Sequence, residues 1–72
     1  MTKVFAKRLK ESRLATGFTR PQLSEKSGVS KNSIFNLEHE KHIPNLYTVV
    51  SLADALGVSL YWLTGRSEYE NK

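Results

Sequence analysis

The chain contains no cysteine, which excludes disulfide staples and thiolate metal sites from the start. It also lacks any run close to the ~20 apolar residues that a membrane-spanning helix requires. No apolar segment opens it, so no secretory leader is expected, and the reading is a cytoplasmic protein. No segment is low in complexity. Enzyme chemistry has little to stand on: serine, histidine and aspartate are all present, but there is no nucleophile elbow and no paired acid–base site. His39 and His42 have a spacing that can suit a metal, yet no third ligand accompanies them. No cofactor and no small-molecule ligand is expected. At 72 residues the chain is short for a core that must hold without a staple, so it depends on helix packing, with dimerisation as a further source of stability.

Acidic residues are scarce where basic ones gather. Seven acidic side chains stand against eleven basic ones, a net charge of +4. Residues 1–41 carry Lys3, Lys7, Arg8, Lys10, Arg13, Arg20, Lys26, Lys31 and Lys41 against Glu11, Glu25, Glu38 and Glu40, a balance of +5. Residues 42–72 carry Arg66 and Lys72 against Asp54, Glu68 and Glu70, a balance of −1. A basic half points to a polyanionic partner.

Three junctions share one form, a glycine, a hydrophobic residue and a hydroxyl residue: Gly17-Phe18-Thr19, Gly28-Val29-Ser30 and Gly57-Val58-Ser59. The glycine suits the left-handed position that follows a helix, and the hydroxyl caps the next one. The hydrophobic residue should pack on the residue five places later, which gives the pairs Phe18–Leu23, Val29–Ile34 and Val58–Leu63. Each junction therefore marks a helix start. Helix 1 is expected over about Lys3 to Thr16, with Phe5, Ala6, Leu9 and Arg13 turned inward. Helix 2 is expected from about Arg20 to Ser27, with Thr19-Arg20-Pro21-Gln22 as a capping box. Pro21 disfavours the helical region for Arg20, which allows the start to slip by one residue. Helix 3 covers about Lys31 to His39. A loop from Glu40 to Pro44 leads to Asn45 as N-cap of helix 4, Leu46 to Leu56, where Leu46, Val49, Leu52, Ala53 and Leu56 mark one face. Helix 5 is short, about Leu60 to Thr64. Leu60 and Leu63 close the core, while Tyr61 or Trp62 is expected to stay exposed as a dimer patch. Residues 1–65 form the expected domain, and 66–72 a flexible polar tail.

The stretch from Gln22 to Glu38 reads as helix, turn, helix. Ser24 is a small residue for the helix crossing, Gly28 supplies the turn, and Ile34 and Leu37 anchor the second helix. Lys31, Asn32, Ser33 and Asn36 are left on an outer face able to lie along base edges in a major groove.

With these pieces placed, the chain resembles the lambda-repressor-like (Cro/cI, or XRE) helix-turn-helix DNA-binding domains over about residues 4 to 65. The resemblance rests on Gln22-Leu23-Ser24, on Gly28 through Ile34, on Leu37-Glu38, on Pro44-Asn45-Leu46 and on Leu52 through Ser59. It implies an all-α, five-helix bundle whose helices 2 and 3 form the helix-turn-helix and whose helix 3 is the recognition helix. It implies base reading by Lys31, Asn32, Ser33 and Asn36. Phosphate contacts fall to Thr19, Arg20, His39 and Lys41, and Arg13 and Glu38 form a structural pair. Arg20 stands where the family usually has glutamine, and Glu40 where it often has the glycine that ends helix 3. Phe35 is an aromatic where polar residues are common, and is read equally as a thymine-methyl contact or as packing. The function implied is a sequence-specific transcriptional regulator of phage, mobile-element or bacterial type. It would be a repressor that binds double-stranded operator DNA as a homodimer. Antitoxins and restriction–modification controllers share the fold, and a protein-interaction module is the reading from another class.

Overall fold

The computed structural model describes residues 2–68. Five helices follow one another: α1 (Thr2–Thr16), α2 (Arg20–Ser27), α3 (Lys31–Glu38), α4 (Leu46–Leu56) and α5 (Leu60–Leu63), with no strand among the described residues. Local chemistry sets the starts. Thr19 Oγ1 accepts from the Gln22 N–H at 3.2 Å while Gln22 Oε1 accepts from the Thr19 N–H at 2.9 Å. This is a complete capping box, which places Arg20 rather than Pro21 first in α2. Ser30, Asn45 and Ser59 cap α3, α4 and α5 through their side-chain oxygens.

The helix ends have an equally local origin. At Gly17 and Gly57 the backbone turns left-handed (φ 81° and 70°). The next N–H then reaches back across the final turn, Phe18 to the Arg13 carbonyl and Val58 to that of Ala53. α3 stops in the same way without a glycine. Glu40 takes φ 59°, and the Lys41 N–H donates to the Asn36 carbonyl at 2.8 Å. α3 therefore ends at Glu38, one residue short of expectation, and α5 ends at Leu63 with Thr64 as its cap.

The core draws on every helix. Phe5 and Leu9 of α1, Leu23 of α2, Ile34 and Leu37 of α3, and Val49, Leu52, Ala53 and Leu56 of α4 are buried together with Val58, Trp62 and Leu63. Phe18 and Val29, the residues before two of the caps, pack against that cluster. Burying side chains of this size contributes about 1.5–3 kcal/mol each, so losing Leu23 or Ile34, both fully buried, removes much of what a small domain holds in reserve. α2 lies against α3 and α4, and α1 reaches α3, α4 and α5.

One expectation about the core is corrected. Leu46 is 71% exposed, because the first turn of α4 extends beyond the core and borders a shallow cleft with Leu60, Tyr61, Thr64 and Arg66. Trp62 is buried, with the Arg8 guanidinium over its ring at 4.9 Å. Of the two aromatics of α5 offered as alternatives for an exposed patch, Tyr61 is the exposed one. Arg8 also donates to the carbonyls of Trp62 and Ser67, so α1 holds the first residues after α5 in place. Of the expected tail, Tyr69 to Lys72 lie outside the described residues.

Candidate nucleic-acid interface

Two helices of eight residues each build the candidate surface. Gly28, at φ 78°, allows the chain to turn sharply from α2 into α3, and Ile34 and Leu37 sink one side of α3 into the core. The side left outward carries Lys31, Asn32 and Phe35, all exposed, and Asn36, half-buried. Ser33 is also half-buried, and its hydroxyl accepts from Ser30 Oγ at 2.9 Å, so it is partly occupied in holding the start of the helix. Thr19 is exposed, but its oxygen serves the cap of α2.

A buried carboxylate fixes α3 against the rest of the bundle. Arg13 Nε donates to Glu38 Oε2 at 2.6 Å and Arg13 Nη2 to Oε1 at 3.1 Å, with the Glu38 side chain wholly buried and that of Arg13 nearly so. The remaining donor of Arg13, Nη1, bonds the Phe18 carbonyl at 3.0 Å and ties in the α1–α2 turn. Arg20 is the third member: its Nε donates to Glu38 Oε1 at 3.0 Å. Among the described residues no buried side-chain nitrogen or oxygen lacks a partner, which is the condition under which a buried ion pair is tolerated.

That arrangement also occupies Arg20. Expected to face phosphate, it is turned onto Glu38 and lies half-buried, with its guanidinium over the Phe35 ring at 5.1 Å. The ring also stacks on His39 at 4.0 Å between centroids, and Lys41 Nζ stands 5.8 Å from its centre. Three of the four residues expected at phosphate thus gather around one aromatic. The His39 Nδ1 lies 2.8 Å from the Phe35 carbonyl. This contact holds the imidazole over the last turn of α3. Sequence reasoning missed this cluster. Its one local signal is the four-residue spacing of Phe35 and His39, since Arg20 and Lys41 reach the ring from outside α3.

The geometry is that of a small helix-turn-helix with its second helix presented outward. A helix-turn-helix family model matches residues 9–63. The chain belongs to the helix-turn-helix family, in its XRE, lambda-repressor-like form. It is also 33% identical over 66 residues to the HTH-type transcriptional regulator ImmR of Bacillus subtilis (strain 168). That match takes in 92% of this chain and 52% of the relative, so the chain spans about half the length of the relative it matches. Residues 9–63, which the family model matches, contain the whole helix-turn-helix and the Arg13–Glu38–Arg20 triad. Among the described residues no helix is long and apolar enough to cross a membrane.

Proposed function

We propose that the protein is a sequence-specific, DNA-binding transcriptional regulator that acts in the cytoplasm. It is a repressor of phage, mobile-element or bacterial type, binds a palindromic operator as a homodimer and blocks access of polymerase. The observation that carries this reading is the outer side of α3. Lys31, Asn32 and Asn36 occupy one side of a helix whose opposite side is locked into the core through Ile34, Leu37 and Glu38. An amide side chain can pair with adenine N6 and N7, and a lysine can donate to guanine O6 and N7. Membership of the helix-turn-helix family supports the DNA partner, and the name of the Bacillus relative supports regulation of transcription.

Phosphate contacts are assigned to Lys41, to His39, to the exposed Thr19 and to the outer edge of Arg20, each positioning the helix without reading sequence. The homodimer is supported by exposed apolar side chains away from α3: Leu46 at 71%, Tyr47 at 81% and Tyr61 at 64% exposure. Leu46 and Tyr61 border the same cleft beside α5.

Selection of bound duplexes from random-sequence DNA, followed by footprinting, tests the proposal. The expected outcome is a palindromic consensus whose half-site centres lie about one helical turn, ~10 base pairs, apart. Failure to enrich any sequence, with only salt-sensitive general binding left, would contradict it.

A further inference from the structure

The outward side of α3 contains one residue that hydrogen-bond readout does not use. Phe35 is 39% exposed and stands outside the buried core cluster. It is the only large hydrophobic of α2 and α3 left exposed. Its position, four residues after Lys31, three after Asn32 and next to Asn36, places it on the side assigned to reading bases. The ring is held from several directions by the His39 stack and by the cations of Arg20 and Lys41. Arg20 is itself held by the buried Glu38. A ring fixed in this way loses little freedom when it meets a partner, and it gives an apolar contact a defined position.

The base edges of a major groove are lined with donors and acceptors, and the apolar group they offer is the C5-methyl of thymine. We propose that Phe35 is a specificity-determining residue that reads a thymine methyl in each half-site, beside the bases read by Asn32 and Asn36. The inference rests on the proposed entry of α3 into the groove and adds a contact class that the polar residues cannot supply. In a purely packing role, Phe35 would order the surrounding cations without distinguishing thymine from uracil.

Replacing each thymine of the selected operator in turn by deoxyuracil removes one methyl and leaves every hydrogen-bonding group in place. The parent protein should lose affinity about fourfold at one position in each half-site, the worth of burying a single methyl group. Phe35→Ala should bind the unsubstituted operator more weakly and show no difference between thymine and uracil at that position, while its discrimination at the bases read by Asn36 persists. Phe35→Leu, which keeps an apolar side chain, should retain part of the methyl preference, and thermal melting of both variants checks that they are folded. Equal binding of thymine and uracil operators by the parent protein would overturn the inference. So would an operator without thymine within reach of α3, or a uracil effect that survives unchanged in Phe35→Ala. Should Asn32→Ala and Asn36→Ala also leave sequence preference untouched, the reading of α3 itself has failed; if they abolish it, only the role of Phe35 has.

Discussion

At the scale of single residues, Glu38 has the most consequence. Its carboxylate is buried and takes hydrogen bonds from both Arg13 and Arg20. Removing its charge in Glu38→Gln strands the nearly buried Arg13 and should cost ~3–5 kcal/mol. Arg13→Met should cost less, because Arg20 still serves the carboxylate. Denaturant unfolding of both single variants and the double should show strong non-additivity, and losses that simply add would refute the coupling. Glu40 presents the opposite case, a residue that the local backbone does not suit. Its φ of 59° is a conformation that glycine adopts freely and a glutamate does not. Glu40→Gly should therefore stabilise the protein by ~1 kcal/mol, raising the melting temperature by roughly 4–8 °C. A lower melting temperature would show that the Glu40 side chain makes a contact worth more than the strain. The sequence revealed Glu40 as a departure from the usual glycine but not how the chain would accommodate it, since the turn bonds of Lys41 and Glu40 to α3 carbonyls form whichever residue occupies the position. Arg20 was harder to read: its partner Glu38 lies eighteen residues away, beyond the reach of any local pattern.

At the scale of elements, the helices were legible because their signals are short. Each junction supplies its own left-handed residue, cap and packing pair within seven residues, and these decide the start of a helix before any tertiary contact forms. Periodicity was less faithful. It placed Leu46 with Val49 and Leu52 on the same side of α4, but a pattern of angles does not say where along the axis the core stops, and Leu46 lies beyond it. α2 and α3 are joined by more than their turn, because Arg20, in the first turn of α2, is bonded to the last residue of α3. Arg20→Ala should therefore act twice, lowering the melting temperature as α2 loosens from α3 and weakening binding to operator and random DNA alike. Loss of DNA affinity with unchanged melting would show that Arg20 serves phosphate alone.

At the scale of the whole molecule, closure depends on residues far apart in sequence. Arg8 covers Trp62 and bonds the carbonyls of Trp62 and Ser67. This explains why Trp62, and not Tyr61, is the buried aromatic of α5. Two of the apolar side chains that remain outside, Leu46 and Tyr61, border one cleft at the α4–α5 side. Replacing both with serine should leave the fold intact, since each is more than half exposed, while abolishing cooperative binding to a two-half-site operator. Sedimentation with and without DNA checks it, and an unchanged cooperative curve would assign dimerisation elsewhere. In the proposed complex α3 reads sequence while the cations around it position the protein. The most direct test is binding of the parent, Asn32→Ala, Asn36→Ala and Lys41→Ala proteins to operator and scrambled duplexes across a salt series. Each asparagine variant should lose roughly 1–3 kcal/mol on the operator and little on scrambled DNA. Lys41→Ala should weaken both and lower the salt slope by about one unit for each half-site. An operator-to-scrambled ratio that neither asparagine variant changes would contradict the account.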